Sequence, residues 1–447
     1  MMIKKLPKGV WALSSVEMWE RFSFYTMQAL LVLYASASTM QGGLGWSEAA
    51  SLRLTGLYGS LVYVSPILGG ILADKFLGRR NAVNIGAVLM CIGQMCLALQ
   101  ADYGLYLGII LLILGCGLLK PTISAMVGEF YDEHDERRES AFAIFYMAIN
   151  IGGVLGPFIG GVVSQRYSYH LAFLLGAFGL IIALINFAIA NKYSLRHIGL
   201  KPTKAIITDV LPKILLTKLE KRRIAVYLTM CVANILWNIV YALSYGLFTV
   251  YASKNIARTI GSFTVPASWF YGLYGMFIVL FCPLLAMFYH LLAAANKKFT
   301  LSHKLAAGYF LLSMGCMVLL PFVHHIVANP AYLGSAWYLI CFYLLFSISE
   351  LLTVPVLLSA ATRLAPKRYA AALVSANMLI SWALGAYLGG EFGVLTTQYN
   401  SFYLFIGVII STLVFGILHL LFNRRVEHLC KADEIIEDLP GEIASER

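Results

Sequence analysis

Charge is what this chain has least of. Of its 447 residues, 12% are Asp, Glu, Lys or Arg and 60% are hydrophobic, and the mean hydropathy is +0.77. A soluble domain carries about 25% charged residues, so this chain has too few to solvate a water-facing surface of its size. Catalytic signatures are absent as well. No H-E-x-x-H, G-x-S-x-G or Walker A motif occurs, which argues against a membrane enzyme of those classes and against ATP-driven transport by this chain alone. The eight cysteines form no CxxC pair and no metal-ligand spacing. Seven lie in apolar runs (Cys91, Cys96, Cys116, Cys231, Cys282, Cys316 and Cys341) and Cys430 near the C-terminus, as small packing residues do. His324 and His325 have no ligand-like neighbours. No metal and no cofactor is expected. The segment MMIKKLPKGVW lacks a small-residue cleavage site and is read as retained.

Long apolar runs fill most of the chain. Each is near the roughly 20 residues that cross a bilayer. Twelve spans are expected, at about 11–35, 51–72, 82–101, 104–127, 141–164, 170–190, 224–250, 268–293, 304–326, 335–362, 370–396 and 401–423. The connecting segments, taken alternately, sort their charge. One set holds 27 of the 33 Lys and Arg residues. The other holds Arg166, Lys254 and Arg258, while Arg21, Arg53 and Lys120 fall within or at the edge of spans. By the positive-inside rule both termini are cytoplasmic, which places a multi-pass chain in a bacterial-type inner membrane with the lipid bilayer as its solvent. The net charge of +11 belongs to these short clusters and not to a nucleic-acid-binding face. The basic connection 191–223 divides the spans six and six. The expected organisation is a bundle over 1–190, a linker over 191–223, a second bundle over 224–424 and a polar tail over 425–447.

A charge at mid-bilayer costs roughly 2.5–3.5 kcal/mol on insertion scales and therefore points to function. Glu17, Glu20 and Arg21 lie together in the first span, with Glu17 and Arg21 at i,i+4. Two carboxylates around one guanidinium exceed what a static pair needs, and suit a group that takes up and releases a proton. Tyr25 and Gln28 continue that face. Lys120, next to Pro121, is expected to face inward in preference to snorkelling to the interface. Glu350 lies too deep to reach water except through a cavity. Glu391 sits near an outer edge. Glycines in GGVLGPFIGG and YLGGEFG permit close helix approach.

The stretch Glu17-Met-Trp-Glu20-Arg21-Phe22-Ser-Phe-Tyr25 resembles the ExxERFxYY signature of the proton-coupled oligopeptide transporter family. LADKFLGRRNAV, GLLKPTISAMVGEFYDEHDERRES, IFYMAINIGGVLGP and FSISELLTVPVLLSAATRLAPKR follow in the order of that family. The resemblance implies an all-α membrane protein of the major facilitator fold, with two six-helix bundles rocking around a midplane site. It implies proton coupling at Glu17, Glu20 and Arg21. Lys120 would meet those acids and a substrate carboxylate, and Glu350 would hold an amino terminus. Tyr25, Tyr63 and Asn150 match cavity positions, with Gln28, Asn238 and Tyr241 at further substrate positions. Asp74, Arg79 and Arg80 would clamp the two halves on the cytoplasmic side.

The departures concern the substrate. Gln28 stands where the family has Arg, and Tyr241 where its seventh span has Glu, so a charged bridge between halves is replaced as a pair. Cys282 precedes Pro283 where the family has Asn, and Met378 falls at the place of a Trp in the eleventh span. No room exists in 191–223 for the two extra helices of many bacterial members. The expectation is a proton-coupled symporter, working as a monomer, that imports di- or tripeptides or peptide-like solutes. A non-peptide amine-bearing metabolite as substrate, and export by proton antiport, remain open alternatives.

Overall fold

The computed structural model describes residues 6–132, 135, 137–200, 216–364 and 369–437. The middle of the expected linker and the end of the expected tail lie outside these. Eleven helices are long and apolar enough to cross a membrane. The first helix, α1 (Lys8–Ser36), is too polar to count by composition, because Glu17, Glu20 and Arg21 interrupt its apolar run. It nonetheless lies in the interior, and with it the spans number twelve.

The first bundle contains α1, α2 (Glu48–Leu72), α3 (Arg79–Leu97), α4 (Asp102–Gly128), α5 (Arg137–Arg166) and α6 (Tyr169–Tyr193). In it α3 packs on α4 and α1 on α5. The second contains α7 (Lys218–Tyr245), α8 (Leu247–Asn255), α9 (Ser268–Ala294), α10 (Leu301–Ala328), α11 (Trp337–Leu364), α12 (Ala370–Asn377), α13 (Leu384–Gln398) and α14 (Ser401–Leu421). Here α10 packs on both α11 and α14. Local signals start the helices where expected. Ser47 caps α2 by accepting from the Ala50 N–H at 3.2 Å. Thr217 and Glu220 form a reciprocal capping box on α7, so the first orphan N–H groups are satisfied without water.

Three details differ from the expected spans. The seventh span does not run unbroken to 250, because Gly246 takes φ −99° and ψ −95° and the chain restarts as α8. The eleventh is continuous but locally underwound, α12 passing into a π-helical turn at Met378–Ala383 and then α13. Such a turn bulges the helix and re-aims its side chains. The chain after 422 begins as a helix, α15 (Asn423–Glu437), and not as a solvated tail. Val426 is buried at 6% exposure, and the Leu429 carbonyl accepts from Arg223 Nε at 2.8 Å.

The bundles meet along two seams, α2 against α13 and α5 against α9. On the first, helix backbones nearly touch. A Cβ placed on Gly56 would lie 2.5 Å from the Gly390 Cα, so only glycine fits there. On the side away from the basic loops the halves are tied by Lys254 to Glu48 (2.6 Å), Arg53 to Glu391 (2.7 Å) and Trp269 Nε1 to the Phe158 carbonyl (2.9 Å). On the basic side, no ion pair joins the halves among the described residues. The described ion pairs between the halves therefore all lie on the side away from the basic loops.

Candidate functional site

Between the bundles lies a cavity of about 230 Å³. Of the residues named from the sequence, Tyr25, Tyr63, Lys120, Asn150, Tyr241 and Glu350 line it. The first bundle contributes the cation. Lys120 is carried inward by α4, with Nζ 5.3 Å from the centre of the Tyr63 ring. It therefore faces the cavity and not the membrane interface. The second bundle contributes the anion, Glu350 from α11, whose Oε2 has no hydrogen-bond partner. Opposite charges on opposite walls of one cavity match a small molecule that carries both.

Beside the cavity, Glu17, Glu20 and Arg21 are buried at 2%, 0% and 3% exposure. The pairing is unequal. Arg21 grips Glu20 through both carboxylate oxygens, with Nη2 at 2.6 Å and Nε also in contact. Glu17 is the secondary partner at 3.3 Å, and its Oε2 has no partner. Glu20 is therefore the tightly held acid and Glu17 the loosely held one.

Gln28 and Asn238 are not on the cavity wall. Asn238 is buried, and its Nδ2 donates to the Asn234 carbonyl at 2.9 Å. Gln28 stands behind the wall and accepts from the Tyr271 hydroxyl at 3.1 Å, while the Tyr271 and Tyr241 hydroxyls lie 3.4 Å apart. The chain Gln28–Tyr271–Tyr241 thus spans the two bundles with neutral groups, at the positions where the resemblance leads one to expect an Arg and a Glu. The paired loss leaves neither a lone charge nor a gap.

Sequence reasoning missed much of the aromatic wall. Tyr146, Tyr271, Tyr274 and Trp382 also line the cavity. Trp382 packs across the interface on Tyr63 at 5.0 Å between ring centres. Behind it Trp237 stacks on Phe346 at 5.0 Å and donates from Nε1 to Ser349 Oγ at 3.0 Å. Met378, read from the sequence as replacing a Trp, does line the cavity, but the π-helical turn brings Trp382 in beside it. The spacing of Met378 and Trp382, four apart, was the available signal.

Asp74, Arg79 and Arg80 make their contacts within the first bundle in this structure. Arg79 bonds Asp74 at 3.1 Å and Glu129 at 2.5 Å. Glu129 accepts from the Gly199 N–H at 2.7 Å, and Arg80 donates to the carbonyls of Leu195 and Ile198. Together they fasten the start of the linker to the bundle that precedes it.

Two bundles, a cavity between them and buried charges facing it define a class: a multi-pass membrane transporter. The family model described as the POT family matches residues 80–221 and 203–410. The chain is 31% identical to the uncharacterized transporter YclF of Bacillus subtilis (strain 168), covering 93% of each chain. It is 29% identical to a di-/tripeptide transporter of Lactococcus lactis subsp. cremoris, covering 85% of this chain and 86% of that one. A crystal structure of the peptide transporter POT in complex with sulfate superposes with a TM-score of 0.86 at 28% identity, covering 95% of this chain and 96% of the other. The chain belongs to the POT family.

Proposed function

We propose that this protein is a proton-coupled symporter that imports di- or tripeptides, or peptide-like solutes, by alternating access across the cell membrane. The observation that carries this reading is the placement of Lys120 and Glu350 on facing walls of one cavity. Lys120 would take the substrate carboxylate and Glu350 its amine, with Tyr25, Tyr63, Asn150 and Tyr241 shaping the space between. Glu17 and Glu20 share Arg21 and lie one helix away from Lys120. A proton arriving at the less tightly held Glu17 would leave Arg21 wholly to Glu20. Lys120 would then be the nearest cation free to meet the substrate. Discharge of the proton to the basic side would reverse this.

In this reading the basic loops and both termini are cytoplasmic, the side joined by ion pairs faces away from the cytoplasm, and one chain suffices. Asp74, Arg79 and Arg80 would swing the linker end with the first bundle and bridge to the second in the outward-open state. The test is uptake into liposomes under an imposed inward-acid gradient. Labelled di-alanine should accumulate only with the gradient. Accumulation that ignores the gradient, or efflux against it, would overturn symport.

One observation favours a second substrate class. The neutral chain through Gln28, Tyr271 and Tyr241 leaves a substrate carboxylate with Lys120 as its one cation on the cavity wall among the described residues. Selection for a free carboxyl terminus should then be weak, and a peptide-like metabolite with a single amine would fit. An amidated dipeptide is expected to compete still, about tenfold to a hundredfold less well than the free acid, since one charged hydrogen bond contributes roughly 1.5–3 kcal/mol. No competition by the amide would count against it.

A further inference from the structure

A second concave site lies outside the transport pathway. On the basic side, α7, α14 and α15 enclose a membrane-facing groove of about 500 Å³. Its floor is apolar, with Val226, Met230 and Ala233 from α7 and Phe415 and Leu418 from α14. Its mouth is not. Arg222 on α7 and Arg425 on α15 both line the groove. Among the described residues neither has a carboxylate partner, and the Arg425 guanidinium rests on the ring of Phe422 at 5.6 Å.

Three features agree on the occupant. First, the polarity is ordered, two guanidiniums at the end near the basic loops and otherwise small or apolar groups, with Thr229 and the His419 ring, stacked on Tyr309, as the other polar lining residues. Second, from Arg222 to Ala233 the groove follows eleven residues of helix, or roughly 16 Å at 1.5 Å per residue, which matches one leaflet of a hydrocarbon core about 30 Å thick. Third, the charge is complementary to an anion at headgroup depth, where basic pockets between transmembrane helices bind acidic lipids. A soluble anion would use the mouth and leave the apolar floor uncovered. We propose that this groove is a binding site for an anionic phospholipid. Its phosphate is held between Arg222 and Arg425, and one acyl chain lies along Val226, Met230 and Ala233. The lipid then ties α15 to α7, reinforcing the hydrogen bond from Arg223 to the Leu429 carbonyl.

The test is lipid retention by the full chain in native mass spectrometry, with thermal unfolding in detergent as a second readout. Phosphatidylglycerol and phosphatidylcholine are supplied as mixed micelles, and inorganic phosphate as the soluble-anion arm. The wild type should keep one phosphatidylglycerol in preference to phosphatidylcholine and unfold at higher temperature with it. The variant R222Q/R425Q should lose that preference by about 25-fold, from about fivefold per cation at an anionic membrane surface. R222K/R425K should retain most of it. Thr229→Phe, which fills the exposed groove wall and leaves both arginines, should expel the lipid without altering charge. Unchanged preference in R222Q/R425Q, retention in Thr229→Phe, or equal stabilisation by inorganic phosphate would each overturn the proposal. Uptake assays are not involved, so the result is independent of the transport reading above.

Discussion

The two walls of the central cavity are built from different chemistry. The first bundle supplies ionic groups in contact, with Arg21 between Glu20 and Glu17 and Lys120 nearby. The second supplies stacked rings, Trp237, Phe346, Tyr241 and Tyr274, around one lone carboxylate, Glu350. In the proposed reading the ionic wall changes its pairing when a proton arrives, because Glu17 is the looser of the two partners of Arg21. The aromatic wall offers faces and a single anion, which select shape and an amine. In the proposed reading coupling resides in the first bundle and amine recognition in the second, and variants on the two sides should fail differently.

The largest effect is expected on the ionic wall. Glu20→Gln leaves Arg21 with its weaker partner. Removing one member of a buried pair costs about 3–5 kcal/mol, so gradient-driven uptake should fall at least about a hundredfold. Counterflow exchange, which needs no net proton movement, should survive better. Equal loss of both would erase the division between walls. Next comes Glu350→Gln, where one charged hydrogen bond of about 1.5–3 kcal/mol is lost. Half-saturation for an amine-bearing substrate should rise roughly tenfold to a hundredfold while the gradient dependence persists. A variant that binds normally but no longer responds to the gradient would assign the proton to the aromatic wall instead.

Tyr271→Phe probes the link between the walls. It removes the hydroxyl between Gln28 and Tyr241 and should weaken substrate binding by about fivefold, the scale of one neutral hydrogen bond. Gln28→Arg should do worse than that, and adding Tyr241→Glu to it should recover binding, since a pair is tolerated where a single buried charge is not. No recovery in the double variant would show that the neutral chain is more than a replacement for an ion pair. The smallest effect is expected outside both walls. Arg53→Gln at the exposed Arg53–Glu391 bridge should alter uptake by less than about threefold, because exposed ion pairs contribute little.

The fold was legible because the bilayer demands long apolar runs and sorts Lys and Arg between them. The buried charges were legible for the related reason that charge is rare here, so Glu17, Glu20, Arg21 and Lys120 on one side and Glu350 on the other stand out. The aromatic wall was not. With 26 Tyr, 26 Phe and 7 Trp, rings occur on every helix face, and nothing local separates Tyr271 or Trp382 from a ring that faces lipid. Gln28 and Asn238 fell behind the wall because helix phase gives a direction but not the depth of a neighbour. The break at Gly246 and the docking of α15 depend on partners far along the chain, Leu52 beneath Gly246 and Arg223 beneath Leu429. Asp74, Arg79 and Arg80, expected to clamp the halves, instead bond within the first bundle and to the start of the linker, because Glu129 and the carbonyls near 195–198 lie closer to them than anything in the second bundle.

The seam of Gly56 against Gly390 also bears on speed. Around it Gly59 faces Ala386, a Cβ there lying 3.3 Å from the Ala386 Cβ, and Leu52 lies over Gly393. Most interfaces between helices are toothed, and parting them means drawing each side chain out of its socket. This one is nearly smooth at its centre. Two bare backbones can part like flat plates, with few rotamers to reset, so this seam should slide with little friction. The bonds at its rim, Arg53–Glu391 and Lys254–Glu48, would then act as weak catches rather than as the lock.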